Sequence, residues 1–326
     1  MMSFIGALPG AVSQGLIWGI MAIGVYITYK ILDIADLTVD GSFCTGGAAF
    51  VMVFAGGGYT TQSMLLGLIV ALLAGMAAGL VTGLLHTVCG IPAILSGILT
   101  QLGLWSINLA IMGMKANVSI PTIQEAVLRK LFVSLRFVQE VAKGTLSVFW
   151  HPMFRVGMFT IAVIAVLYWF FGTERGASLR ATGANPNMAR AQGINTDFDK
   201  VLGLIISNGL VALSGALLTQ YQGFADTSMG KGAIVIGLAA VIIGEVIFSR
   251  LFRNFALKLL AVSFGSIIYY VVIQAVVSLS GINTNYLKLI SAIIVAIFLA
   301  VPYWKGKYFT HVKKPAAASI GGNSDA

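Results

Sequence analysis

The chain has 326 residues, of which 58% are hydrophobic and only 10% are charged, and its formal net charge is +9. A soluble domain carries roughly 25% charged residues, so this composition excludes an ordinary soluble protein. Apolar runs of about 20 residues recur along the chain and predict an all-α, polytopic membrane protein rather than a membrane β-barrel. The positive charge fits a basic cytoplasmic face better than a nucleic-acid surface, and no nucleic-acid partner is predicted.

Nine apolar segments follow one another and predict about nine membrane spans. The second is short and glycine-rich, so we expect a discontinuous span whose irregular backbone lies against protein or water. The others are expected to cross the hydrocarbon core as helices. In chain order the segments are Leu8–Tyr29, Ser42–Phe54, Gln62–His86, Ile91–Met112, Phe154–Gly172, Val201–Tyr221, Gly232–Phe248, Phe255–Leu279 and Leu287–Val301.

The distribution of lysine and arginine sets the expected orientation. The loop of residues 173–200 carries three arginines and one lysine, and the tail of residues 305–326 carries four lysines, so we expect both on the cytoplasmic side. Residues 1–304 then form one transmembrane domain with its N-terminus outside and its C-terminus inside. The loop of residues 114–153 is expected to be extracellular although it is basic. Its apolar residues recur at helical spacing, which indicates an amphipathic helix at the outer surface.

Small residues recur at every fourth position of the third segment and form a ridge along one helix face. Such a ridge lets another helix approach closely, so we expect tight packing within the subunit, with a subunit interface as the alternative. The ridge consists of Gly67, Ala71, Gly75, Gly79 and Gly83.

A short internal repeat joins Ile34–Ser42 with Phe224–Gly232. Each segment follows the end of a span and leads into a glycine-rich apolar stretch. The two places are five spans apart and therefore lie on opposite membrane faces. This arrangement predicts an inverted-topology repeat of the kind that transporters contain.

Polar residues around the second segment are the first candidates for a solute path, because short spans in matching places of a repeat point to one. The alternative is that the aspartates there are interfacial and solvated. Uncharged polar residues inside other spans are further candidates, although interhelical hydrogen bonding is their default role. The path candidates are Gln14, Thr38, Asp40, Ser42, Asn108 and Asn208.

The segment Asn185–Ile194 has the pattern of a capped short helix between two spans. Asn185 suits the N-cap, Pro186 suits the first helical position, and Gly193 suits the C-terminal stop. A helix of about two turns held there predicts a docking site for another protein, with an ordinary surface helix as the alternative. Farther along, Glu245 is expected to form an interfacial ion pair with Arg250.

Motifs for nucleotide hydrolysis and metal binding are absent from the sequence. No phosphate-binding loop of the G-x-x-x-x-G-K-[ST] type occurs. The three histidines, His86, His151 and His311, are too far apart for a zinc motif. We therefore predict a protein that is not an enzyme, with no catalytic residue, no metal site and no cofactor in this chain.

Two blocks of the sequence resemble the permease subunits of bacterial ATP-binding-cassette (ABC) importers, in the branched-chain amino-acid and ribose-type branch. One block runs from Gly15–Gly19 through Leu37–Ser42. The other, which is more specific, runs from Gly176–Gly183 through Asn185 and Ala189–Asn195 and continues to Gly223. The likeness covers most of Gly15–Pro302. The motif LTVDGSF is similar to sequences of a subgroup that imports aromatic or other amino acids.

The resemblance implies a membrane subunit that moves a small polar solute, an amino acid, inward across the bacterial cytoplasmic membrane. It implies three partners: an ABC ATPase that binds ATP and magnesium, an extracellular solute-binding receptor or lipoprotein, and a second permease copy in a homodimer. The alternative class is an ATP-independent secondary transporter or channel. The resemblance assigns contact with the ATPase, as a coupling helix, to Asn185, Pro186, Met188, Ala189, Arg190, Gly193 and Ile194.

Overall fold

The computed structural model describes residues 2–121, 152–248, 252, 254–280 and 287–304. Most of the amphipathic helix predicted within residues 114–153 and the whole tail of residues 305–326 lie outside the described residues. The helices are α1 (Met2–Tyr26), continued by a π-helix (Ile27–Ile31), α2 (Val39–Gly56), α3 (Thr61–Thr87), α4 (Ala93–Ile111), α5 (Pro152–Gly172), α6 (Glu174–Ala184), α7 (Pro186–Ala191), α8 (Thr196–Gln222), α9 (Ala233–Phe248), α10 (Phe255–Ser280) and α11 (Leu287–Trp304).

Each of the nine predicted segments lies on one of these helices, which confirms a polytopic helical membrane protein. Within the part of the chain that the structure describes, seven helices are long and apolar enough to cross a membrane: α1, α2, α3, α4, α5, α8 and α10. Helix α9 is apolar but shorter, with 16 residues. The count of nine crossings stays a prediction.

Helices α1 and α8 form the centre of the bundle, and α4 and α5 are the most exposed of the long apolar helices. Helix α8 packs against α3, α2 and α1. Serine hydroxyls join α8 to α1: Ser207 donates to the Gly24 carbonyl at 2.8 Å and Ser214 donates to the Ile17 carbonyl at 2.7 Å. These bonds satisfy polar groups that lipid could not.

The small-residue ridge of α3 faces α8 and α2 within the same subunit, as the first of the two interpretations predicts. Gly75 lies against the Asn208 carbonyl, Gly79 lies against the Leu204 carbonyl, and Gly67 lies against the Phe50 ring. A side chain at Gly75 or Gly79 would collide with the α8 backbone. The spacing of the glycines therefore sets the close approach of these helices.

The prediction that the second span is short and discontinuous is wrong. Helix α2 runs without a break for 18 residues from Val39 to Gly56, or about 27 Å at 1.5 Å per residue. The polar residues at its start do not end the helix, because their side chains find partners on neighbouring elements. The irregular backbone lies just before it, in residues 32–38.

One small sheet departs from the predicted all-α fold, which is otherwise confirmed. Strand β1 (Asn117–Ser119) pairs antiparallel with β2 (Phe224–Asp226), with Val118 opposite Ala225. The ribbon joins the segment after α4 to the segment after α8. It thereby fixes the turn that leads from α8 into α9.

Candidate functional site

The predicted short helix between the spans is present as α7. The Asn185 side chain accepts hydrogen bonds from the backbone N–H groups of Asn187 and Met188, both at 3.1 Å. Pro186 occupies the first turn, and Gly193 adopts a φ of 79°, which favours glycine. The caps inferred from the sequence are therefore confirmed.

Two neighbouring side chains of α7 point in opposite directions. Met188 is 64% exposed, whereas Ala189 is buried. Arg190 turns back toward α8, where its Nε donates to Thr196 Oγ1 at 2.7 Å and its guanidinium pairs with Asp197 at 3.3 Å. Met188 is thus an apolar side chain that α7 exposes, while Ala189 and Arg190 hold the helix in place.

A buried carboxylate braces the helix that precedes α7. Asp199, near the start of α8, is buried and accepts hydrogen bonds from the hydroxyls of Ser178 and Thr182 on α6. On the other side of α6, Gly183 lies against the Ile31 carbonyl at the end of the π-helix. Helices α6 and α7 are therefore attached to both central helices of the bundle. Sequence reasoning missed Asp199, whose only signal is an acid in the first turn of a span.

Three of the path candidates join a buried hydrogen-bond network between helices. Ser42 donates to Asn208 Oδ1 at 2.6 Å, and Asn208 Nδ2 donates to Asp36 Oδ2 at 2.7 Å. The hydroxyls of Thr38 and Thr82 are 2.7 Å apart, and all five residues are buried. Asp36 lies between two spans, and burial raises the pKa of its carboxyl, while hydrogen bonds from Thr38 and Asn208 oppose this effect.

Asp40 links the start of α2 to the start of α9. Its Oδ2 accepts from the Gly232 N–H and its Oδ1 accepts from the Ile234 N–H, both at 3.0 Å. A carboxylate is stabilised at a helix N-terminus, where backbone N–H groups lack partners. Two helix N-termini that are distant in sequence therefore meet at one side chain.

The two segments of the predicted repeat share a local turn. Asp36 Oδ1 accepts from the Thr38 N–H at 2.9 Å, and Asp226 Oδ1 accepts from the Ser228 N–H at 2.6 Å. Each turn lies shortly before a helix that starts beside Asp40. The shared turn supports the inverted repeat, which stays a prediction.

A cavity of about 310 Å³ lies between α2, α4 and the segment before α9. It brings together two path candidates, Asp40 and Asn108, with Gln101, Trp105 and Lys231. Asn108 Nδ2 donates weakly to the Gly41 carbonyl at 3.4 Å, while its buried Oδ1 has no hydrogen-bond partner in the described structure. Lys231 was missed by sequence reasoning, because it lies in a turn rather than in a span.

The remaining path candidate lies elsewhere. Gln14 is half-buried on α1 and does not line this cavity. The structure therefore divides the six candidates into a buried network, a cavity and one separate residue.

Glu245 pairs with a residue that the sequence did not suggest. Its carboxylate lies 2.9 Å from Lys30 Nζ, and both side chains are partly exposed. Lys30 belongs to the π-helix that ends the first span, so the pair joins α9 to the end of the α1 segment. The predicted partner, Arg250, lies outside the described residues.

Known proteins align with nearly the whole length of this chain. The family model described as the permease component of the branched-chain amino acid transport system matches residues 8–301. The chain is 40% identical over 288 residues to a tyrosine transport system permease protein of Clostridioides difficile, which covers 88% of each chain. It is 33% identical over 294 residues to an uncharacterized protein of Rickettsia prowazekii, covering 89% of this chain and 95% of the relative.

A more distant likeness extends to permeases of another named system. The chain is 28% identical over 178 residues to an autoinducer 2 import system permease protein of Yersinia pseudotuberculosis, which covers 54% of this chain and 45% of the relative. No solved structure matches the chain.

Proposed function

We infer the function from one premise: this chain belongs to the family of branched-chain amino acid transport system permease components. We propose that it is the membrane-spanning subunit of an ABC importer. It moves a small polar solute, an amino acid, inward, and a separate ATPase subunit supplies the energy. The relative with 40% identity is named for tyrosine transport, which supports the amino-acid class.

The observation that carries this proposal is the exposed, capped helix α7. A transport subunit that depends on a separate ATPase needs a surface that transmits force. Helix α7 presents Met188 outward and is bound to α8 through Arg190 and Thr196. Movement of a docked partner would therefore be passed to the centre of the bundle. In this proposal residues 185–194 form the coupling helix.

The proposed path runs beside α4, between this subunit and a second copy. Ionisable groups in membrane segments face protein or a water-filled cavity rather than lipid. Asp40 and Lys231 line a cavity next to α4, one of the most exposed helices of the bundle. A second copy covering this face would enclose the cavity, and we therefore propose a homodimer.

The remaining partners and the orientation follow from the same proposal. An extracellular receptor or lipoprotein delivers the solute, and the ATPase partner binds ATP and magnesium. The N-terminus lies outside and the C-terminus inside the bacterial cytoplasmic membrane, so that α6 and α7 face the cytoplasm. The rival proposal is an ATP-independent secondary transporter or channel, which an inverted repeat would equally fit.

The test places a charge on the proposed docking surface. Met188→Asp should abolish co-purification with the ATPase and ATP-driven uptake, because a charge is unfavourable in an apolar contact. Met114→Asp is the matched control. Met114 is also exposed, at 75%, and it follows the C-terminal end of α4. Its left-handed φ of 61° is one that aspartate tolerates. Unchanged ATPase association of the Met188 variant, or uptake by vesicles that contain this chain alone, would overturn the proposal.

A further inference from the structure

The cavity beside α4 contains groups of opposite charge. Asp40 contributes a carboxylate at the start of α2, and Lys231 contributes an ammonium from the segment before α9. No ion pair joins them among the described residues, and both belong to the wall of one cavity. A cavity with a cation and an anion in its wall complements a zwitterion.

We propose that this cavity binds both charged groups of an α-amino acid, the carboxylate and the ammonium, during transport. Lys231 binds the α-carboxylate, while Asp40 and Asn108 accept hydrogen bonds from the α-ammonium. The inference depends on the proposed transport function and goes beyond it, because it makes the permease itself selective. Selectivity would then be shared between this subunit and the receptor.

Asp40 retains the capacity for this contact although it caps α9. Its two oxygens accept backbone N–H groups of Gly232, Ala233 and Ile234, whereas an ionised carboxylate has about four acceptor positions. The cap also fixes the orientation of the carboxylate. A fixed acceptor loses little conformational entropy when a ligand binds.

Asn108 supplies an independent observation. Its Oδ1 is buried and has no hydrogen-bond partner within the described structure, and the residue is part of the cavity wall. Buried polar atoms of this kind are rare, and each calls for an explanation. An ammonium that donates to this oxygen as it passes through the cavity would satisfy it.

The rest of the wall indicates which side chain the solute carries. Leu102 and Trp105 present apolar surface to the cavity, with exposures of 65% and 51%. An indole ring favours stacked or edge-to-face contacts with another aromatic ring. The cavity of about 310 Å³ lies at the small end of ligand sites. Single amino acids with aromatic or large apolar side chains fit these conditions.

The first experiment measures binding by protection of a thiol. Leu102→Cys is introduced into a Cys89→Ser background, since Cys89 is exposed. The other cysteine, Cys44, is buried but lines the same cavity, so the Cys89→Ser protein without Leu102→Cys measures its labelling, which is subtracted. The permease–ATPase complex in proteoliposomes is then labelled with a water-soluble thiol reagent. L-Phenylalanine should slow labelling, whereas phenethylamine, which lacks the carboxylate, and hydrocinnamate, which lacks the ammonium, should not. Equal protection by all three, or by none, would overturn the inference.

The second experiment tests Lys231 directly with the complete importer. Lys231→Met should reduce amino-acid uptake about tenfold or more, the scale of losing one hydrogen bond to a charged group. It should also abolish protection by L-phenylalanine, while Lys231→Arg retains both. Lys258→Met is the matched control, because Lys258 is likewise exposed but lies at the start of α10, outside this cavity. Uptake by the Lys231→Met variant within twofold of wild type would contradict the inference.

The two proposals fail in different ways. If the ATPase associates and uptake is normal, but the thiol is not selectively protected, the importer function stands and the proposed binding site is rejected. If the thiol is selectively protected in a chain that never associates with an ATPase, the proposed binding site stands and the importer function is rejected. Measuring ATPase co-purification on every variant separates the two results.

Discussion

Ser42 on α2 and Asn208 on α8 are joined by a buried hydrogen bond of 2.6 Å across 166 residues of sequence. The same Asn208 side chain donates to Asp36, in the irregular segment before α2. One amide therefore fixes both the start of α2 and the segment that leads into it. In this region the bundle is held by directed polar contacts as well as by packing.

Replacing Asn208 should destabilise the bundle more than its size suggests. Asn208→Ala leaves the carboxylate of Asp36 and the hydroxyl of Ser42 buried without their partner, and each unsatisfied group costs about 1–3 kcal/mol. We expect a clear drop in the thermal unfolding midpoint of the purified protein in detergent.

The control for this prediction is Asn187→Ala, at an exposed position of α7. A surface substitution of this type changes stability by about 0.5 kcal/mol or less. Equal unfolding midpoints for the two variants would show that the network contributes nothing.

The glycine ridge of α3 gives a second prediction. A Cβ at Gly79 would collide with the Leu204 carbonyl, whereas a Cβ at Gly103 on α4 would meet no atom within 4 Å. Gly79→Ala should therefore destabilise the protein by about 1–3 kcal/mol through overpacking. Gly103→Ala should leave stability unchanged or raise it, because alanine favours the helix. Thermal unfolding compares the two, and a Gly79→Ala variant as stable as Gly103→Ala would contradict the packing.

Features encoded by nearby residues were predictable from the sequence. The caps of α7 depend on Asn185, Pro186 and Gly193, which lie within nine positions of one another. The α3 ridge depends on a spacing of four along one helix. In both cases the physical cause is local, so the pattern predicts the structure directly.

Features that depend on distant partners were not predictable. The hydrogen bond between Asp40 and the N–H of Gly232 spans 192 residues, and no local sequence pattern indicates it. The second span was predicted to be discontinuous because its apolar segment is short and glycine-rich. The contacts that let the helix begin earlier, at Val39, come from distant elements. The cavity was also hidden, because its wall combines α2, α4 and the segment before α9.

The N-cap of α7 should control association with the ATPase. Asn185→Ala removes the acceptor for two backbone N–H groups and should weaken the helix by about 0.5–2 kcal/mol. If the ATPase binds the folded helix, its affinity should fall by about 2- to 30-fold. Asn185→Asp retains a capping oxygen and should bind like wild type. A binding titration with purified ATPase measures both, and equal affinity of the alanine variant would mean that the cap is irrelevant to docking.

The hydrogen bonds that Asp199 accepts from α6 should determine whether ATP hydrolysis is converted into transport. Asp199→Ala removes the acceptor that the hydroxyls of Ser178 and Thr182 share, so α6 loses its polar attachment to α8. Helix α7 keeps its own caps and its bond from Arg190 to Thr196 and can still receive the ATPase, but with α6 detached its movement is passed to α8 less effectively. We therefore expect ATP hydrolysis to continue while less solute is taken up per ATP, measured as the ratio of the two rates in proteoliposomes.

Asp197 provides the comparison for this prediction, since it lies two positions away and differs in its surroundings. Its side chain is 55% exposed and forms a surface ion pair with Arg190, and such pairs contribute about 1 kcal/mol or less. Asp197→Ala should keep the wild-type ratio of uptake to hydrolysis, and Asp199→Asn, which retains one acceptor oxygen, should fall between the two alanine variants. If Asp199→Ala also keeps the wild-type ratio, force reaches the bundle by another route, such as the contact of Gly183 with the Ile31 carbonyl.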